Sequence, residues 1–191
     1  AALALCVGAG ATTVENDFYA ALQATNGSIK LENDFVYEKA MEVNHNLTID
    51  LNGYVLTIPK SICVNSGAHL TIKDSNPNAT HKFTPNVDGL WVLNKTNGTE
   101  TVTGGVITGG TGYQYHKTHP TGVGYIKEYG GGVCVKVDGS LSMTGGNIVG
   151  CTAMQGGGVY VEGDFSMTGG SIVGCTAMQG GGVYMAVGDN E

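Results

Sequence analysis

The sequence predicts an all-β chain wound as a right-handed, single-stranded parallel β-helix of about 24 residues per coil, closed at its start by a capping α-helix. Three observations carry that prediction. Residues 143–160 read MTGGNIVGCTAMQGGGVY and residues 167–184 read MTGGSIVGCTAMQGGGVY, differing only at Asn147 and Ser171 with a constant offset of 24. A fixed period of that size marks a stacked supersecondary unit. Within each unit the apolar residues alternate in short runs punctuated by glycine, which is the pattern of strands and turns. Three such runs fill each period, one for each side of a coil.

The chain divides into three segments. Residues 1–11, AALALCVGAGA, are an apolar run ending in Ala9-Gly10-Ala11. An apolar stretch closed by an A-x-A site reads as the remnant of a secretory signal peptide, cleaved after Ala11. A buried apolar start is the alternative. The signal reading makes the chain secreted or displayed at the cell surface. Residues 12–27 read as a helix: Thr12 and Glu15 form a capping box, Val14, Phe18 and Leu22 share one face, and Asn26-Gly27 supplies a left-handed stop. Such a helix covers the exposed apolar end of a solenoid's first coil. Residues 28–191 form the β-helix, which is expected to continue beyond Glu191.

Like strands line up in columns. The first is Leu47-Thr48-Ile49, Leu70-Thr71-Ile72, Thr101-Val102-Thr103, Leu141-Ser142-Met143 and Phe165-Ser166-Met167. The steps from Ile72 to Val102 and from Val102 to Met143 are 30 and 41 residues, so those coils carry insertions. A second column is Leu90-Trp91-Val92, Val133-Cys134-Val135, Val159-Tyr160-Val161 and Val183-Tyr184-Met185, and a third is Ile107, Ile148 and Ile172. Alternation sends the valines, isoleucines and Met185 inward. It leaves Trp91, Cys134, Tyr160 and Tyr184 as an outward ladder.

Composition narrows the function. The 191 residues carry a net charge of −7, and all nine basic residues are Lys. An acidic, Arg-free chain is a poor match for phosphate-rich partners, so nucleic acid is excluded as a partner class. No run is long enough for a transmembrane span. The five cysteines show no metal-ligand spacing, and no cofactor is expected. Cys151 and Cys175, one period apart, stack in adjacent coils with parallel side-chain vectors, which favours buried thiols over a disulfide.

One segment departs from the repeat. Residues 111–129, TGYQYHKTHPTGVGYIKEY, concentrate tyrosine and histidine on a long loop, and loops projecting from rigid scaffolds are where binding usually resides. The ligand-binding candidates are therefore Tyr113, Tyr115, His116, His119 and Tyr125 on the loop, with Trp91, Tyr160 and Tyr184 on the ladder.

The unit GGSIVGCTAMQGGGVYV resembles the repeats of polymorphic outer-membrane proteins and related bacterial β-helix adhesins. Gly157-Gly158-Val159 and Gly181-Gly182-Val183 match their Gly-Gly-aliphatic motif. Ile148-Val149-Gly150-Cys151 and Ile172-Val173-Gly174-Cys175 stand where those repeats have Phe-x-x-Asn. The opening coils, NLTIDLNGYVLTI and SGAHLTIKDS, also resemble those of secreted bacterial β-helix proteins. The resemblance implies a pectate-lyase-like solenoid, a surface location and a scaffold role in adhesion, with glycans or a host-surface protein as partners.

Catalytic constellations compare poorly. Resembling polysaccharide lyases use an Arg that this chain lacks. A hydrolase needs carboxylates converging on one face, whereas Asp50, Asp74, Asp88, Asp138 and Asp164 are dispersed. Asp138 and Asp164 could stack at one corner, but turn carboxylates explain them more simply. His116 and His119 lack a third metal ligand. The Thr101/Thr103, Ser142/Thr144 and Ser166/Thr168 files only partly match an ice-binding ladder. Five N-x-S/T sequons, at Asn26, Asn46, Asn78, Asn94 and Asn97, arise readily in an Asn- and Thr-rich sequence. The expectation is a non-catalytic surface scaffold that binds carbohydrate or a host surface. A polysaccharide-active enzyme whose catalytic coils lie outside this chain, and a structural stalk that stacks coil end on coil end, are the alternatives.

Overall fold

The chain winds as a parallel β-solenoid of about six turns at roughly 24 residues per coil. The computed structural model describes residues 3–4, 18–118 and 124–186, with side chains at 18–114 and 128–186. Strands β2 (Asn26–Lys30), β3 (Phe35–Val36) and β4 (Met41–Val43) make the first complete coil. Strands β5 (Asn46–Asp50), β6 (Val55–Thr57) and β7 (Ile62–Val64) make the second. The third uses β8 (His69–Lys73), β12 (Val106–Thr108) and β15 (Val133–Val135). The last two are β16 (Ser140–Val149), β17 (Thr152–Gln155) and β18 (Val159–Val161), then β19 (Asp164–Val173), β20 (Thr176–Gln179) and β21 (Val183–Met185). Among the described residues no helix is long and apolar enough to cross a membrane.

Parallel pairing in register along each side, interrupted by a bulge between Met143 and Asn147 where β16 meets β19, brings like residues together from coil to coil. Leu47, Leu70, Leu141 and Phe165 form one file, and Ile49, Ile72, Met143 and Met167 another. Leu56, Ile107, Ile148 and Ile172 make the second side. Met41, Ile62, Val133, Val159 and Val183 make the third. Nearly all of these side chains merge into one continuous core, with Phe165, Ile172 and Val183 packed at its end. Each β-branched or aliphatic side chain thus rests on its own kind about 4.8 Å away, which packs a pleated surface without gaps.

Two of the expected rungs belong elsewhere. Thr101–Thr103 and Trp91–Val92 are not coil strands. They lie in β11 (Glu100–Thr103) and β10 (Trp91–Leu93), which flank β9 (Thr80–Pro85) in an antiparallel three-stranded flap. The path from Leu70 to Leu141 is therefore one coil with two insertions, not two lengthened coils. Burial shows why the assignment fails: coil strands place apolar residues on both flanks, whereas in β11 only the central Val102 is buried. Val92, which would point inward in a coil, is 51% exposed. The flap lies over outward-facing residues of the second side, and Val55, Val106 and Val149 pack with Phe83 and Val102 in a separate apolar cluster.

The flap also clasps the last coil. The Trp91 N–H donates to the Gly174 carbonyl at 2.9 Å. Gly174 has φ +59°, and a Cβ there would fall 2.1 Å from Trp91 Cγ. The repeat glycine is thus required both by its left-handed backbone and by the indole pressed onto it. Its base is closed by Asp74, whose Oδ1 accepts the Gly53 N–H at 2.7 Å and whose Oδ2 accepts the Gly105 N–H at 2.7 Å.

At the N-terminal end the chain is helical over residues 18–23, and Phe18, Ala21 and Leu22 are buried against the first coil. The expected helix ends sooner than Asn26-Gly27, because both residues belong to β2. Gly27 serves close approach, since a Cβ would fall 2.0 Å from the Ala21 carbonyl oxygen. The rest of the expected helix, residues 12–17, and the signal-like segment lie outside the described residues except for Leu3–Ala4, which pair parallel with β2 as β1.

Leu70, fully buried between Leu47 and Leu141, is expected to cost about 2–5 kcal/mol as Leu70→Ala, against no more than about 0.5 kcal/mol for Thr71→Ala on the outward face. Denaturant titration of both variants checks this. Acid should act through the corner carboxylates. Burial alone would raise the Asp50 carboxyl, but bonds from Ser75 and Asn52 and the Lys73 ammonium 3.5 Å away outweigh it and hold its pKa below the ordinary 3.8. A depressed folded pKa gives stability that is present above the unfolded value and is lost as pH falls through the folded one. Melting measured down from pH 3.8 should show that loss, and Asp50→Asn should flatten it.

Candidate functional site

A repeat solenoid presents files of equivalent residues on its outside, and two adjacent files on the third side build the candidate site. The outward residues of β4, β7, β15, β18 and β21 are Glu42, Cys63, Cys134, Tyr160 and Tyr184. One step beyond the last inward residue of these strands stand Asn65, Lys136 and Glu162, tied by coil-to-coil bonds such as Glu162 N–H to the Val135 carbonyl at 2.8 Å. Over these files leans the second insertion, a hairpin of β13 (Tyr113–Thr118) and β14 (Gly124–Tyr129). β14 also pairs parallel with β17 through Tyr129 and Gln155, so the hairpin extends the solenoid's own sheet.

Hairpin and files enclose a cleft of about 370 Å³ lined by Tyr113, Tyr129, Cys134, Lys136, Tyr160 and Glu162. Tyr129 stacks on Tyr160 with ring centroids 4.5 Å apart, and Tyr160 stacks on Tyr184 at 5.6 Å with rings 4° from parallel. Tyr160 is therefore sandwiched and only 6% exposed, so its edge and hydroxyl, not its faces, meet the cleft. The Tyr160 hydroxyl donates to Glu162 Oε1 at 3.1 Å. Burial, the Glu162 charge and this bond push the Tyr160 phenol up, which keeps it a neutral donor. Across the cleft Lys136 Nζ donates to the Tyr113 hydroxyl at 3.4 Å and sits 4.5 Å from the centre of that ring. Burial works against the Lys136 charge, but Cys63, Tyr113 and Glu42 outweigh it and hold its pKa above the ordinary ammonium value.

Of the sequence candidates, Tyr113 and Tyr160 line the cleft and Tyr184 packs beside it. Trp91 does not join the ladder. It lies in the flap on another side, with Phe83 at 6.4 Å, and borders a separate recess of about 290 Å³ with Leu93, Thr57, Thr108 and Thr152. Tyr115, His116 and Tyr125 lie in the hairpin by backbone register, opposite Lys127, Ile126 and Lys117, and their side chains are outside the described ones. His119 lies outside the described residues. Sequence reasoning missed Tyr129, Cys134, Lys136 and Glu162 as site residues, although Tyr129 stood in the aromatic segment, Cys134 on the ladder, and Lys136 and Glu162 at equivalent positions after Val135 and Val161.

Several aspartates are engaged by backbone N–H groups at corners of the coil. Asp34 Oδ1 accepts the Val55 N–H at 2.8 Å and its Oδ2 pairs with Lys95 at 2.6 Å. Asp138 and Asp164 do not stack: Asp164 pairs with Ser140 in register, and Asp138 occupies a turn at φ +59°. The cysteines at 63, 134, 151 and 175 are free thiols. In the Cys151–Cys175 pair, the hydrogen bond between them and burial push the Cys151 thiol up. The same bond and the Cys151 backbone N–H, 3.4 Å from Sγ, push Cys175 down.

Among the four described cysteines, alkylation of the folded protein should reach half-buried Cys175 first and leave Cys63, Cys134 and Cys151 untouched until unfolding, because reactivity follows thiolate character and access. Peptide mapping after iodoacetamide reads the order, and equal labelling of Cys151 and Cys175 contradicts it.

No protein-family model, curated protein or solved structure matches the chain.

Proposed function

We propose that the chain is a non-catalytic scaffold, secreted or held at the cell surface, that binds carbohydrate on a glycan-bearing surface through the tyrosine cleft. The observation that carries this reading is the meeting of a rigid coil stack and an inserted hairpin in one cleft lined by Tyr113, Tyr129 and Tyr160, with Lys136 and Glu162 among them. Aromatic rings with a few convergent polar groups suit a ligand that is apolar on its ring faces and hydroxylated at its edges, as a pyranose is. The cleft lining supports a binding role over hydrolysis, because Glu162 is the one carboxylate among its described residues and hydrolysis needs a pair converging on the sugar. Asp34, Asp50 and Asp74 are occupied by backbone N–H groups at coil corners elsewhere.

Glycan-array screening of the full chain tests the proposal, and absence of any glycan bound above background sinks it. Tyr113→Ala is the informative variant. Tyr113 is half-buried on the hairpin, so its loss should spare the core while weakening glycan binding by about 1–2 kcal/mol, roughly tenfold. Unchanged affinity in that variant places any binding elsewhere on the molecule.

A further inference from the structure

Lys136 and Glu162 hold equivalent positions on adjacent coils, next to the in-register pair Val135 and Val161. Opposite charges on neighbouring rungs, about 4.8 Å apart at the backbone, ordinarily close into an ion pair. Here no ion pair joins them, in contrast to Lys73–Asp50 and Lys95–Asp34. Each charge is turned instead to a tyrosine hydroxyl. Lys136 Nζ donates to Tyr113 and lies over its ring, while Glu162 Oε1 accepts from Tyr160. Tyr113 belongs to the hairpin and Tyr160 to the coil, so the two walls of the cleft draw the charges apart.

From this arrangement, and resting on the carbohydrate reading above, we infer that the Lys136–Glu162 pair is a recognition site for two adjacent hydroxyl groups of a neutral sugar. One hydroxyl donates to the free acceptor capacity of the Glu162 carboxylate, and its neighbour accepts from a remaining Lys136 N–H. An ammonium has three donors and a carboxylate two acceptor oxygens, so neither is exhausted by its tyrosine. The nearby opposite charges of Glu42 and Glu162 offset the Lys136 ammonium, which disfavours a sugar carboxylate and favours an uncharged polyol. Tyr113 and Tyr129 border the cleft beside the pair, and the ordered donor and acceptor fix which face and which hydroxyl pair are presented. Hydrogen bonds to charged groups discriminate strongly, because a ligand lacking the hydroxyl leaves a desolvated charge unpaired.

The test uses the full chain with methyl glucoside, methyl galactoside, methyl mannoside, their single-deoxy forms and methyl glucuronide, titrated by calorimetry or ligand-observed NMR. The intact protein should lose roughly tenfold in affinity when one hydroxyl of the recognised pair is removed. In Glu162→Gln and Lys136→Met that discrimination should fall to near onefold, with residual binding retained and the melting temperature unchanged. A merely structural role would instead lower the melting temperature and weaken all sugars alike. Discrimination that persists in both variants while Tyr113→Ala still weakens binding overturns the hydroxyl-pair assignment and leaves the carbohydrate reading standing. Tighter binding of the glucuronide than the glucoside overturns it too, since Lys136 would then be reading a carboxylate. No binding of any glycoside, on the array or in titration, overturns both.

Discussion

Parallel pairing in register from coil to coil is the constraint on which the rest of the molecule depends. Because each side of the coil keeps its register, with the shift in the last pair confined to the corner between Met143 and Asn147, the residues of one rung stand directly on their equivalents above and below. Inside, that turns Leu47, Leu70 and Leu141, or Ile62, Val133 and Val159, into continuous apolar files. Outside, the same rule carries Cys63, Cys134, Tyr160 and Tyr184 into a row, with Lys136 and Glu162 beside them. Core and candidate site are thus consequences of one geometric repeat. A one-residue slip of a rung would exchange inward for outward residues and destroy both.

The long third coil converts a uniform surface into a differentiated one. Both insertions leave and rejoin it at corners where backbone polar groups are satisfied locally, the first through Asp74 bridging Gly53 and Gly105. At the base of the second, the Ser61 hydroxyl donates to the Gly130 carbonyl at 2.6 Å. Each insertion then uses the solenoid differently. The flap lies over the outside of one side and buries apolar residues there. The hairpin extends an existing sheet through Tyr129 and leaves a gap between itself and the coil face. A covered side is a stabilising contact. A gap lined by tyrosine and charge is a place to bind.

Electrostatics sharpen the difference between corner and cleft. Asp50, 3% exposed, tolerates burial because backbone N–H groups and Lys73 meet its charge, which makes it part of the scaffold. In the cleft, Lys136 and Glu162 are bonded to tyrosine hydroxyls and not to each other. The fold neutralises charge where it needs rigidity and keeps it apart at the mouth of the cleft.

The sequence by itself determined the solenoid, its period, and the core files of the regular coils, because the repeat at residues 143–184 and the inward alternation of Val and Ile are local patterns with a single packing solution. It also marked the hairpin segment as the departure, and Tyr113, Tyr160 and Tyr184 as aromatics outside the central core. Tertiary structure alone decided which alternating runs are rungs. Trp91 and Val102 alternate like coil residues yet pair antiparallel with β9, since periodicity of two describes a strand without naming its partner. It likewise decided the membership of the cleft. Tyr129 meets Tyr160, and Lys136 turns to Tyr113, only because the hairpin folds back across the coils, and that pairing is a long-range choice no local pattern encodes.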